Sequence, residues 1–287
     1  MNKLMKRLLV VLRRIAIAGL VALLFWTLIF MIFEEKFIYF PYEYPRGIYE
    51  DARFVPNLRD CWITAEDGVK IHAWFALADS AIATLVIAHG NAGNISHRIP
   101  IIRELQRRGF NVLMYDYRGY GRSEGSPDEE GVYKDGRAAF DFALTVPEVD
   151  RTRIILWGTS LGGAVAVDVA QHRQVAGLIL ESTFSSARDV ARTLYPFLPV
   201  FLVLRTSFNS IEKIQKVKAP ILSIHGNQDS IIPIGLGRKL FRAANEPKEF
   251  YEIPHADHND TFLIGGDRYY DTITRFVRGI VSLAPKR

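Results

Sequence analysis

Several features common in chains of this length are scarce here. Cys61 is the only cysteine, so a disulfide within the chain is impossible and thiolate clusters around a metal are excluded. Cys61 reads as a packing residue beside a strand. No metal-ligand spacing and no phosphate-cradling loop stands out, so no cofactor is expected. There is no internal repeat or low-complexity segment. Charge of one sign is scarce as well, outside one short stretch. The chain carries 36 basic and 31 acidic side chains, and Lys3, Lys6, Arg7, Arg13 and Arg14 precede the first acid; without those five, 31 face 31. A neutral body argues against a charged nucleic-acid-binding face.

What is present is globular. Hydrophobic residues make up 49% and charged residues 23% of 287, enough for one large α/β domain or two small ones with a real core. The most conspicuous run is residues 15–33, IAIAGLVALLFWTLIFMIF, 19 positions without a charge. At about 1.5 Å per helical residue it spans roughly 28 Å, close to the hydrocarbon thickness of a bilayer. It predicts a transmembrane anchor after a basic tail, residues 1–14, that stays in the cytoplasm and leaves the rest on the extracytoplasmic side, periplasmic in a bacterium. A cleaved signal peptide fits less well, because the run is long and ends in Phe30-Met31-Ile32-Phe33 without small residues. Residues 34–57 follow as a linker. Its Phe37, Tyr39, Phe40, Tyr42 and Tyr44 suit a membrane–water interface or, alternatively, an arm packed on the domain. Pro41 and Pro45 predict that it is extended rather than helical.

From residue 58 onward the pattern alternates. A hairpin over 61–65 and 69–75 turns at Glu66-Asp67-Gly68. Buried strands are predicted over 83–88, 112–115, 154–159, 175–180, 220–225 and 249–253, with helices over 101–108, 131–145 and 262–282. An antiparallel opening followed by βα alternation predicts a mostly parallel, twisted, eight-stranded sheet covered by helices on both faces. A small cap is expected around 185–210, where the apolar stretch LYPFLPVFLVL (194–204) is too short to cross a bilayer. That stretch either covers the sheet or lines an acyl pocket, with Phe197 and Phe201 as its aromatic members.

Polar, glycine-bearing turns fall at the carboxyl ends of these strands, where ligands of open α/β sheets bind. In Gly158-Thr159-Ser160-Leu161-Gly162 a strand runs into a tight turn and a Gly/Ala-rich helix, the setting of a nucleophile elbow. The bland reading is an ordinary glycine-rich turn. Asp229 follows a strand in Gly226-Asn227-Gln228-Asp229, and His258 sits in a later loop. The order Ser160, Asp229, His258 is that of one group of serine hydrolases. A serine hydroxyl needs a hydrogen-bonded imidazole to take its proton, and that imidazole needs an orienting carboxylate. Two N–H donors must meet the developing oxyanion; Leu161 and Asn91 are the candidates, with Ala92 as the alternative to Asn91. Rivals are weaker. His255 directly follows a strand end, Glu181 is a less favoured alternative acid, and His72, His89 and His225 read as packed histidines. Asp116, Arg118, Arg122 and Ser123 read as a bracing turn. A serine at position 160 argues against halide- or epoxide-cleaving relatives, which use aspartate there.

The ordered set HGNAGN (89–94), DYRGYGRS (116–123), GTSLG (158–162), Asp229 and HND (258–260) resembles the α/β-hydrolase superfamily. It is most similar there to a single-pass, membrane-anchored group, over about residues 58–287. The resemblance implies an α/β-hydrolase fold with Ser160 as nucleophile, His258 as general base then acid, and Asp229 holding the imidazole. The expected activity is cleavage of a carboxylic ester or thioester of a small-molecule or acylated substrate, with the membrane as partner. A peptidase or a non-catalytic binding protein on the same fold are the alternatives, although no triad member is missing.

Overall fold

The computed structural model describes residues 3–196 and 200–283. Eight strands form one sheet: β1 (Leu58–Thr64), β2 (Lys70–Ala76), β3 (Ala83–Ala88), β4 (Phe110–Tyr115), β5 (Ile154–Thr159), β6 (Gly177–Glu181), β7 (Ile221–Gly226) and β8 (Lys248–Ile253). Their spatial order is β1-β2-β4-β3-β5-β6-β7-β8. β2 runs antiparallel to β1 and β4, and every other neighbouring pair is parallel. All residues of β3 (ATLVIA) and β4 (FNVLMY) are buried. Such near-continuous apolar runs, each interrupted by one buried polar residue (Thr84, Asn111), rather than alternating ones, are what a strand covered on both sides requires.

The covering layers follow from the two-residue period of a strand. Leu113 and Leu156 face the layer containing Val132 and Phe140 of α3 (Glu129–Ala143) and Val165 of α4 (Leu161–His172). Their chain neighbours Val112 and Ile155 face Ile102 of α2 (Ile99–Arg107) and Tyr269 and Ile273 of α9 (Thr261–Leu283). Between β6 and β7 lie the short helices α5 (Ala187–Leu194), α6 (Val200–Val203) and α7 (Ser210–Lys213), and α8 (Ile234–Ala243) lies between β7 and β8. Phe197 lies outside the described residues.

The N-terminal helix α1 runs Lys3–Ile38 and departs from helical geometry at Phe33 (φ −110°, ψ 20°). Its part Arg7–Ile38 is long and apolar enough to cross a membrane, and its apolar window is not buried by the rest of the chain. The departure falls at the end of the charge-free run. Beyond it, residues 34–38 remain helical, which corrects the expectation of an extended linker from 34 onward. No helix breaker precedes Pro41, and that proline disfavours α geometry only at Phe40. Glu34 is 1% exposed; its carboxylate accepts hydrogen bonds from Thr206 N (2.7 Å) and Arg205 N (3.1 Å). The aromatic segment divides between its two readings. Tyr39 is buried against the edge of Phe208, whereas Phe37, Phe40, Tyr42 and Tyr44 are exposed. Backbone pairing of Phe40–Pro41 with Ala92–Gly93 ties the segment to the loop after β3.

Candidate active site

β5 ends at Thr159 and α4 begins at Leu161, which leaves Ser160 alone in the connection at φ +53°, ψ −115°. A non-glycine residue rarely holds that conformation, and it costs on the order of 1–3 kcal/mol. The turn is over-determined by its neighbours. A Cβ on Gly158 would lie 2.1 Å from Gly162 O, and one on Gly162 would lie 2.0 Å from Ala88 O. Strand and helix backbones therefore touch where glycine alone fits. Ser160 N donates to Glu181 O (2.8 Å), and Thr183 Oγ1 donates to Ser160 O (2.8 Å).

Ser160 Oγ lies 3.0 Å from His258 Nε2, and His258 Nδ1 lies 2.8 Å from Asp229 Oδ2. The three side chains come from β5–α4, from the turn after β7 and from the loop between β8 and α9, and all three residues are buried. Asp229 Oδ1 accepts from Ile231 N (3.0 Å) and Ile232 N (2.7 Å). Burial works to raise the Asp229 carboxyl, but hydrogen bonds from His225 and His258, the His258 charge and the Ile232 N–H outweigh it and hold the group well below its ordinary value. An imidazole in this setting can take the serine proton while a fixed carboxylate orients it and stabilises its charged form.

The remaining residues singled out in the sequence have definite places. Asn91, Ala92 and Leu161 all line the cavity over Ser160. The Asn91 side chain is engaged elsewhere: Nδ2 donates to Ile38 O, and Oδ1 accepts from Tyr120 Oη (2.8 Å). Only its backbone N–H is left to face a substrate. Leu161 is the first residue of α4, a position whose N–H has no acceptor within a helix. His255 sits apart, with Nδ1 beside Gln228 Nε2 (3.3 Å). Glu181 accepts four hydrogen bonds, from Trp157 Nε1, Thr159 Oγ1, Thr261 Oγ1 and Tyr269 Oη, and these tie β5, β6 and α9 together. His225 Nε2 lies 2.9 Å from Ile232 O and 3.2 Å from Asp229 Oδ2, behind the carboxylate.

The 116–123 turn braces the loop. Asp116 Oδ1 accepts from Ile95 N (2.8 Å) and lies 3.3 Å from His89 Nε2. Ser123 Oγ donates to Asp116 O (2.8 Å) and accepts from His72 N (2.9 Å). Arg118 pairs with Asp135 and Asp67, and Arg122 lies over the Tyr44 and Tyr49 rings. Among the described residues no group of three His, Cys, Asp or Glu side chains is placed to hold a metal ion.

The cavity has a volume of about 680 Å³ and a largely apolar wall. Leu194, Val200 and Leu204 of the stretch after β6 contribute to it, and so do Phe30 and Phe37 of α1. Phe201 is not in the wall; its ring lies under the Arg192 guanidinium, 4.8 Å away. The pocket-lining expectation for that aromatic is corrected accordingly, because one helical turn places Val200 and Leu204 on the inner side together. Two placements, one in the cavity wall and one outside it, are not legible in the sequence. Arg98 lines the cavity but lies in an unremarkable polar turn, and Glu34 bridges to Arg205 across 171 positions, which no local pattern encodes.

Fold and chain order together define an α/β hydrolase, and the chain belongs to the α/β-hydrolase family. The family model described as "Serine aminopeptidase, S33" matches residues 79–211. Among curated proteins the chain is 36% identical over 269 residues to the uncharacterized protein Rv2307c of Mycobacterium tuberculosis, covering 92% of this chain and 95% of that one. It is 36% identical over 272 residues to the alpha/beta hydrolase domain-containing protein WAV2 of Arabidopsis thaliana, covering 85% and 87%. Among solved structures, the Pyrococcus furiosus esterase Pf2001 superposes with a TM-score of 0.70 at 20% identity, covering 84% of this chain and 98% of that one. At that identity the likeness speaks to fold.

Proposed function

We propose that this protein is a membrane-anchored serine hydrolase that cleaves a carboxylic ester or thioester, with a lipid or other acylated molecule as substrate. The observation that carries the reading is the hydrogen-bonded series Ser160–His258–Asp229 opening into an apolar cavity at the sheet's carboxyl edge. In this mechanism His258 Nε2 takes the Ser160 proton as Oγ attacks the acyl carbon. The carbonyl oxygen becomes an oxyanion held by the Leu161 N–H and by that of Asn91 or Ala92. His258 then gives the proton to the departing alcohol or thiol, leaving an acyl-serine. Water, deprotonated by the same imidazole, releases the acid and restores Ser160. Asp229 stays ionised and stabilises the imidazolium. A fluorophosphonate probe should label the wild type and leave Ser160→Ala unlabelled; equal labelling of both would remove the assignment.

The aminopeptidase description of the matched family favours a second reading, cleavage of a peptide from its N-terminus. A free ammonium needs a carboxylate to receive it. Glu181, the one carboxylate in the cavity wall among the described residues, already accepts four hydrogen bonds, and the cation in that wall is Arg98. This favours the ester. Faster turnover of aminoacyl amides than of nitrophenyl esters would reverse the order.

The basic residues Lys3 to Arg14 at the N-terminal end of α1 support a cytoplasmic N-terminus with the hydrolase on the extracytoplasmic side. A phosphatase reporter fused at the C-terminus should then be active; an inactive fusion beside an active cytoplasmic reporter would invert the topology.

A further inference from the structure

The cavity over Ser160 is apolar along most of its wall, yet one permanent cation enters it. Arg98 ends the short turn Ile95–Arg98, in the same loop that carries Asn91 and Ala92. A guanidinium has five N–H donors and no acceptor. Here a single hydrogen bond is formed, from Nη2 to Ala92 O at 3.0 Å, and among the described residues no carboxylate pairs with the group. Burial presses the guanidinium below its ordinary value, against the opposing pull of Glu181 and Asp116. Neither of those acids forms a hydrogen bond or ion pair with it among the described residues. Glu181 has both oxygens occupied, each by two neutral donors, and Asp116 is turned toward His89 and Ile95 N.

A half-buried guanidinium in the cavity wall, with most of its donors unused, is placed to receive an anion. The planar fork of arginine matches a carboxylate or phosphate in two parallel hydrogen bonds. Bracing a carbonyl oxygen uses one donor only, so the Ala92 contact leaves the rest of the fork unexplained. That contact also fixes the guanidinium to the loop that supplies the oxyanion donors of the reading above.

We propose that Arg98 is a specificity-determining residue that pairs with a carboxylate or phosphate carried by the acyl substrate, so that this hydrolase selects anionic esters over neutral ones. The inference rests on the hydrolase reading and narrows it. An ester of this kind has an apolar chain for the wall formed by Leu194, Val200 and Leu204, and an oxyanion for Arg98. A zwitterionic or cationic headgroup would be disfavoured at the same place.

The test uses the full-length protein in detergent micelles and two matched substrate pairs. One pair is a monoacylglycerol phosphate against the monoacylglycerol of the same chain. The other is the nitrophenyl hemiester of a dicarboxylic acid against the nitrophenyl ester of the monoacid of equal length. The quantity read is the ratio of kcat/KM for the anionic to the neutral member, taken within each variant so that partial loss of folded enzyme cancels. The wild type should prefer an anion by about 10- to 100-fold, the range for a hydrogen bond to a charged group. Arg98→Met should bring the ratio close to one, and Arg98→Lys should retain part of it.

Preference in the phosphate pair alone, in the carboxylate pair alone, or in both supports the proposal and names the source. Competition in the wild type adds a readout independent of any variant: an alkyl phosphate should slow fluorophosphonate labelling more than the alcohol of the same length. No anion preference in the wild type, or the same preference in Arg98→Met, overturns the inference while Ser160-dependent turnover leaves the hydrolase reading standing. Turnover that survives Ser160→Ala overturns both.

Discussion

Replacing Gly162 by alanine tests how the elbow is built. A Cβ there would sit 2.0 Å from Ala88 O, 2.6 Å from Ala88 C and 2.7 Å from His89 O. All three are backbone atoms, so no side-chain rotation relieves the clash. Real Cβ contacts stay beyond 3.0 Å, so the elbow must part from the end of β3 by about 1 Å. Overpacking of this kind costs about 1–3 kcal/mol, or ~2–12 °C in Tm for a domain of this size. The same movement separates Ser160 from the loop carrying Asn91, and a misplacement near 1 Å costs about 100-fold in rate. Gly162→Ala should therefore lose both melting temperature and fluorophosphonate labelling rate. Gly235→Ala, with no atom within 4 Å of its Cβ, is the control and should hold both. Wild-type labelling at an unchanged Tm in Gly162→Ala would refute the claim that strand and helix backbones fix the serine.

Other outcomes follow from the same geometry. Asp229→Asn should lower kcat by about 10³–10⁴-fold while the fold persists, because the imidazole loses its orienting carboxylate; a loss below tenfold in ester turnover would contradict that role. The Asp229 carboxyl lies well below its ordinary value in the folded chain, so its stabilisation is complete above the unfolded value near 3.9 and disappears as pH falls through that region toward the folded value. Urea midpoints should thus fall more steeply with acid in the wild type than in Asp229→Asn; parallel slopes would show that the carboxylate gains nothing on folding. Leu204→Ser, in the cavity wall, should lower kcat/KM for long-chain esters about tenfold or more and for acetate esters much less. An equal loss on both would remove the acyl-pocket reading.

The sequence by itself determined the layered α/β fold and the span of most elements. Runs such as ATLVIA and IILWGT are apolar at all but their threonines, a pattern that fits a strand covered on both faces. Edges were less legible. The first strand extends back to Leu58, and α1 continues to Ile38, because a helix or strand stops where tertiary pairing stops as well as where local preference changes. Gly158, Ser160 and Gly162 could be read as an elbow because backbone sterics are local, and Asp229 and His258 because strand ends converge at one edge of such a sheet.

Only the tertiary structure decided what fills the space above that edge. The carboxylate of Glu34 reaches the backbone of Arg205 and Thr206, Asn91 turns its amide toward Ile38 and Tyr120, and Phe201 leaves the cavity wall to Val200 and Leu204. The unpaired guanidinium of Arg98 belongs with these. Periodicity records which face of an element is apolar, but not which distant side chain meets it; that is settled by packing between segments far apart in the chain.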